Sequence, residues 1–582
     1  MVASTHWIAT ASAQAVLERG GNAFDAAAAG AFVLHVVEPH LNGPGGDLVG
    51  IFATADRPSE PVVLIGQGPA PHRATIEHYR AEGLDLVPGA GALAAAIPGA
   101  VDAWLLLLKD HGSWELAEVL AFARDYARHG HPLLARVGAT IAAVSELFET
   151  HWPTSAALWM PGGRVPRAGE RVTNPAYADT LDRLVEAGKD AESREGRIDA
   201  ARTEWSTGFV ATAASRFVRD PHRHSSGTDH AGVIDEEDFA GFRASYEPAV
   251  TLEFRGTTVA KSGAWGQGPA LLQSLAVLDG FDDDRLDPST ALGAHTILEV
   301  QKLSLADREA FYGDGPVPLD ELFSADYISQ RRALVTNRAS VEFRPGVVEG
   351  WQAHLPPLRV ADQSGAEVPG DSFAGTGEPT ASPAGVTAGD TCHIDVVDRW
   401  GNMISVTPSG GWLQSSPTIP ELGFCLGSRL QMTWLDPASP SALVPGRRPR
   451  TTLTPTMLFR DGHPVAALGT PGGDQQDQWQ LLYLLRTLVG GYSPQEAIDA
   501  PAFHTTAFPE SFWPRTWEPG GAVVEARLGG EVIAELRRRG HRLTVAGDWS
   551  LGRLSSVGRD AATGMLTAAA NPRGAQGYAA GR

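Results

Sequence analysis

The chain has 582 residues, and its 47 Lys and Arg against 68 Asp and Glu give a formal net charge of −21, which excludes a protein built to bind a polyanion. Hydrophobic residues at 43% and charged residues at 20% are those of a globular protein long enough to bury a large core, so disorder is excluded as the main theme. Two cysteines, Cys392 and Cys425, rule out a disulfide framework or a Cys-based zinc site and allow at most one bridge.

The opening residues lack the basic start and unbroken apolar run of a secretory signal. The most apolar stretches, 23–37 and 91–108, contain Asp25, His35, Pro98 and Asp102, too polar for a membrane span. The expectation is a cytoplasmic protein. Residues 8–19 read as a helix stopped by Gly20-Gly21, and Asn22 caps a second helix over 23–37. A glycine-rich loop, 38–47, leads into strands at 48–53 and 61–66. The middle, about 100–340, reads as mostly helical. Residues 361–390 are rich in small and turn-forming residues with almost no bulky apolar ones, as expected of a flexible connector.

That connector ends abruptly at Thr391. Residues 392–398 and 403–407 read as the strands of a hairpin around the turn 399–402. Further on come a buried strand at 465–469, the turn Pro471-Gly472-Gly473, and a helix over 476–489 with Leu481, Leu482, Leu485 and Leu488 on one face. A capping Ser493, Pro494 and Glu496 open the next helix.

A connector that terminates at a hydroxyl residue leading a strand suggests backbone cleavage there, making that residue a new N-terminus. Its free α-amine, with a pKa of roughly 7.7 to 8.0, takes the proton from its own hydroxyl, so one residue supplies nucleophile and base. Backbone N–H groups of Gly472 and Gly473, ahead of a helix, suit a tetrahedral oxyanion. Taken singly, Thr391 is an ordinary strand residue and Pro-Gly-Gly an ordinary turn; the conjunction carries the reading.

The strings Gly20-Gly21-Asn22-Ala23-Phe24-Asp25-Ala26-Ala27, Val37-Glu38-Pro39-His40 and Gly43-Pro44-Gly45-Gly46, with Asp390-Thr391-Cys392-His393, Arg448-Pro449-Arg450-Thr451-Thr452 and Gly469-Thr470-Pro471-Gly472-Gly473, resemble the γ-glutamyltransferase (γ-glutamyltranspeptidase) family along nearly the whole chain. The resemblance implies an N-terminal nucleophile hydrolase of α+β class, a four-layer αββα sandwich with two stacked antiparallel sheets between helical layers. It also implies self-cleavage between Asp390 and Thr391 into a large subunit, 1–390, and a small one, 391–582. Carried over residue by residue, it makes Thr391 the nucleophile, Thr407 and Ser409 its supporting hydroxyls, Gly472 and Gly473 the oxyanion hole, and Thr451 and Thr452 substrate contacts. The implied partners are a small-molecule substrate and the two subunits of one chain. A higher oligomer is left open, and neither nucleic acid, membrane, metal nor cofactor is implied.

The sequence departs from the family where the glutamyl head group would bind. Gln67 stands in place of an arginine, the segment 427–433 lacks the carboxylate that would hold an α-amine, and Gly411 replaces an Asn. Losing these charge-assisted contacts implies an altered acyl group. Arg429, Arg447 and Arg448 are the alternative receptors for an acid group, and Trp412, close after Ser409, is the aromatic residue expected to touch substrate. Relatives in pathways to 4-alkylproline antibiotics hydrolyse a carbon–carbon bond, which is one alternative here; a processed but silent binding protein is another. His222, His224 and His230 raise a metal site, read instead as an exposed loop. Asp235 to Asp238 read as a helix start rather than an acid pair.

Overall fold

The computed structural model describes residues 1–360, 391–573 and 576–581; the expected connector 361–390, with Asp390, lies outside the described residues. The fold mixes helices with two antiparallel sheets. The larger has seven strands in the order Tyr578–Ala580, Val2–Ser4, Ile394–Val397, Met403–Ser409, Asp47–Thr54, Arg57–Gly66 and Ser245–Pro248. The other has six, in the order Leu566–Ala570, Ser555–Arg559, His463–Gly469, Thr456–Arg460, Thr257–Lys261 and Val250–Phe254.

Strand alternation gives each sheet two apolar faces. From the larger sheet, Ile394, Val396, Ile404 and Val406 share a cluster with helices Trp7–Glu18, Ala23–Val37 and Ala100–His111. On the opposite face, Val49, Ile51, Val63, Val397 and Met403 meet Ala260, Met457, Phe459, Ala467 and Val557 of the second sheet. The second sheet then turns Val259, Leu458 and Leu468 toward helices Gly268–Leu278, Ala291–Phe311 and Gln476–Leu488.

Helix Ala23–Val37 is buried along its whole length, which its Ala and Gly content permits. A Cβ at Gly30 would stand 2.5 Å from Ile394 Cδ1, so this helix sits against the hairpin more closely than larger residues allow. It begins with a capping box between Asn22 and Asp25. The helices at 476 and 494 also form near their expected starts, the latter with the Ser493–Glu496 box.

The mostly helical reading of 100–340 missed the strands Ser245–Pro248, Val250–Phe254 and Thr257–Lys261. These are edge or near-edge strands whose half-exposed Thr and Glu break the apolar pattern. Among the described residues no helix is long and apolar enough to cross a membrane.

Asp398 closes the hairpin. Its Oδ1 accepts from the N–H groups of Trp400, Gly401 and Asn402 at 2.9, 3.0 and 3.0 Å, while Oδ2 accepts from Ala23 N–H at 3.0 Å at the start of the buried helix. Asp398→Ala orphans these donors together and is expected to cost about 2 kcal/mol or more, read as a lowered midpoint in thermal unfolding; an unchanged midpoint would contradict this role.

Candidate active site

Residues 391, 393, 395 and 397 share one face of the hairpin with 403, 405, 407 and 409 across the strand, because side chains alternate. The register sets Val397 opposite Met403 and Asp395 opposite Ser405, and an isolated bridge sets Thr391 opposite Ser409. This face therefore begins apolar between the sheets and becomes a ladder of polar pairs toward Thr391. All of its members are buried.

Each rung is closed by a side-chain hydrogen bond, and the His393 and Asp395 rungs are also bonded to each other. Thr391 Oγ1 donates to Ser409 Oγ at 3.3 Å. His393 Nδ1 lies 2.9 Å from Thr407 Oγ1, and His393 Nε2 lies 2.8 Å from Asp395 Oδ1. Asp395 also accepts from Ser405 Oγ and, across the sheet interface, from Ser555 Oγ, each at 2.7 Å. A carboxylate with three donors is satisfied without water.

The proposed oxyanion turn arises where strand His463–Gly469 leaves this ladder. Gly469 lies against the His393 ring so closely that any Cβ would collide with it. Residues 470–473 then turn into helix Gln476–Leu488. Gly472 has φ of +106°, and a Cβ there would stand 2.6 Å from the Trp479 ring, so both backbone conformation and space require glycine. Asp474 anchors the turn by accepting from Ser511 N–H at 2.8 Å and Ser511 Oγ at 2.6 Å, and by pairing with Arg308. Arg308 continues to Glu309, which also holds Arg450, so four charged groups compensate one another beside the turn.

The expected substrate residues fare unequally. Arg429 does not stand free as a receptor for an acid group: its Nε and Nη2 bind both oxygens of Asp47 at 2.7 and 2.8 Å, and both residues are buried. Arg448 is likewise taken, by Glu247 and Asp314 at 2.7 Å each, with its guanidinium 4.5 Å above the Trp265 ring. In both cases the expected receptor already carries carboxylates of the protein, which compensate the guanidinium charge. Gln67 is fully buried with its amide donating to Gly68 O.

Thr451 Oγ1 accepts from Leu453 N–H at 3.2 Å, whereas Thr452 Oγ1 is buried with no hydrogen-bond partner among the described residues. Trp412 donates from Nε1 to Leu41 O at 2.8 Å and packs with Met432 and Phe512. It forms an aromatic wall three residues from Ser409.

His224 donates or accepts through both ring nitrogens, to His222 O and from Leu93 N–H at 2.8 Å each, and His230 pairs with Glu82. Asp235 caps helix Glu236–Gly241. Both cysteines are free and buried, and burial pushes the Cys425 thiol up to about 12. Among the described residues the groups with metal-like spacing are His295, Glu299 and His541, and His72, Asp235 and Asp238. Glu299 is already bound by Lys302, Arg344 and Ser340 N–H.

His393, Asp395, Ser405 and Ser555 were not singled out by the sequence reading. Their signal was present for three of the four: Thr391, His393 and Asp395 occupy every second position, as do Ser405, Thr407 and Ser409. A strand with one polar and one apolar face normally shows its polar face to water, and here that face is inward.

The family model for gamma-glutamyltranspeptidase matches residues 9–581. The solved structure of LmbA2991HD is 53% identical with a TM-score of 0.93, covering 100% of this chain and 98% of that one. The glutathione hydrolase-like YwrD proenzyme of Bacillus subtilis (strain 168) is 30% identical over 99% of this chain and 97% of its own length. The oxamate amidohydrolase proenzyme of Klebsiella pneumoniae is 30% identical over 100% and 98% respectively.

The pairing of Arg429 with Asp47 has a measurable consequence. Arg429→Met leaves a buried carboxylate alone and is expected to cost about 3–5 kcal/mol, while Asp47→Leu combined with Arg429→Met restores most of that loss. Urea unfolding midpoints check this; equal losses in the single and double variants would contradict a structural ion pair.

Proposed function

The chain belongs to the gamma-glutamyltranspeptidase family, and from that premise we propose that it is a self-processing N-terminal-threonine acyl hydrolase or transferase acting from Thr391. It is an enzyme of the gamma-glutamyltransferase-like N-terminal nucleophile class, and its relatives are proenzymes. In this reading the sheets and helices make a four-layer αββα sandwich, and cleavage after Asp390 separates a large subunit, 1–390, from a small one, 391–582.

The observation that carries the proposal is the position of Thr391 at the last rung of the buried ladder, hydroxyl to hydroxyl with Ser409. Processing begins when Thr391 Oγ attacks the Asp390 carbonyl; the acyl group moves from nitrogen to oxygen, and water hydrolyses the ester. In turnover, Oγ attacks the substrate carbonyl while its proton passes to the freed α-amine. Gly472 and Gly473 N–H groups receive the oxyanion. The leaving group departs with the proton, and water or an acceptor amine releases the acyl group.

The acyl donor is not γ-glutamyl in this reading. Gln67 and Gly411 stand where charged or amide partners of a glutamyl head group are expected, and Arg429 and Arg448 already carry carboxylates of the protein. The oxamate amidohydrolase relative supports a donor without a glutamyl head group. A second reading keeps every residue and changes the leaving atom to carbon, as in the hydrolysis of a carbon–carbon bond of an antibiotic precursor. The missing glutamyl contacts are compatible with it, because the oxyanion hole is indifferent to which atom departs.

Thr391→Ala is expected to abolish both processing and turnover while leaving the fold intact. Gel analysis and N-terminal sequencing of the small subunit read the first, and assays on oxamate and on a γ-glutamyl anilide read the second. Turnover near the parent level in that variant would overturn the assignment, and a robust γ-glutamyl rate in the parent would overturn the altered specificity.

A further inference from the structure

We propose that His393 and Asp395 form a buried relay that sets the direction of the Thr407 hydrogen bond, and so act as positioning residues for Thr391. This rests on Thr391 being the nucleophile, but it concerns groups that the nucleophile itself never needs to touch.

The direction follows from counting protons. Asp395 offers only acceptors, and it receives Ser405 Oγ, Ser555 Oγ and His393 Nε2. The Nε2 proton is the one shared with Asp395, and in the neutral imidazole this leaves Nδ1 as a lone pair. Thr407 Oγ1, 2.9 Å from Nδ1, must then donate its only proton downward to His393. Its lone pairs stay available for another donor, and Thr391 is the next residue on that face of the neighbouring strand. Thr407 is thus held as an acceptor toward Thr391, the polarity needed to receive an N–H of the freed α-amine and aim the amine's lone pair at its own hydroxyl.

Two features argue that the arrangement is rigid. His393 and Asp395 are fully buried, so water offers no alternative partner, and the ring is held by Gly469 on the strand that leads to the oxyanion turn. Ser555 fixes the far oxygen of Asp395 from a different strand. The relay consequently ties the orientation of Thr407 to the packing of the two sheets.

The relay moves no net proton in a catalytic cycle; its effect is on hydrogen-bond polarity. Replacing Asp395 by Asn removes the negative charge, and where its NH2 turns to Nε2 it also selects the Nδ1–H tautomer and makes Thr407 a donor toward the amine. Both the lost negative charge and the reversed hydrogen bond disfavour the ammonium form, so the amine's pKa falls.

The test uses the full-length protein as it processes itself, with a sulfonyl fluoride as electrophile. The readout is the rate constant for modification of the N-terminal Thr391, followed by intact mass of the small subunit against pH and normalised to the processed fraction. Asp395→Asn and Thr407→Val are expected to lower the plateau rate at least tenfold, with the acid limb of the Asp395→Asn profile moved to lower pH by at least half a unit. Thr407→Ser, which keeps the hydroxyl, recovers part of the rate lost in Thr407→Val and leaves the acid limb unmoved. If Asp395→Asn does not accumulate, Ser555→Ala supplies the milder version, which loosens Asp395 and lowers the plateau rate severalfold while keeping its charge and so the position of the acid limb. Rates within twofold of the parent and an unmoved limb in Thr407→Val and the folded Asp395 or Ser555 variant would overturn the relay while leaving Thr391 labelled. A parent in which Thr391 is never labelled would overturn the underlying nucleophile assignment instead.

Discussion

The structure depends on burying one polar strand face between two sheets. Val397 and Met403 start that face as ordinary core, but Asp395, Ser405, His393 and Thr407 follow where a sandwich interior would normally be aliphatic. A polar group left without a partner there costs far more than the hydrogen bond it forgoes. The ladder is stable because its buried members are paired, Thr391 with Ser409 and Thr407, His393, Asp395 and Ser405 in one chain to which Ser555 adds a donor from the second sheet. That condition couples sheet packing to the geometry at Thr391: the sheets cannot slide without breaking the ladder, and the ladder cannot reorient without moving the sheets.

The same economy governs the charges. Arg429 with Asp47, Arg448 with Glu247 and Asp314, and Arg308 and Arg450 with Glu309 and Asp474 are closed groups. Such pairs add little net stability, yet removing one member is expensive. Their value here is geometric, because they pin the start of strand Asp47–Thr54, the 448–452 segment and the turn before helix Gln476–Leu488. A site bounded by compensated pairs presents oriented backbone N–H groups and hydroxyls such as Thr452 Oγ1 rather than free charge.

Much of the fold was legible wherever periodicity and end signals coincided. Helix Ala23–Val37 was readable from Gly20-Gly21 and Asn22, and the hairpin after Thr391 from its turn and β-branched residues. The strands between 245 and 261 were missed because edge positions mix polar and apolar residues and resemble loop or helix in isolation. At the candidate site, Thr391, Ser409, Gly472 and Trp412 could be named from motif and spacing. The pairing of Arg429 and Arg448 was not legible, because Asp47 and Asp314 lie 382 and 134 residues away along the chain. His393 and Asp395 escaped notice because a polar strand face ordinarily meets water.

By itself the sequence determined the family, the alternation of the strands after Thr391 and the glycine turn at 471–473. All of these are local, carried by short strings whose chemistry does not wait for a partner. Only the tertiary structure decided which polar residues are satisfied by one another and which guanidinium groups are already spent. Those are properties of pairs, and in a folded chain the partner of a buried charge is chosen by the packing of sheets and helices rather than by distance along the backbone.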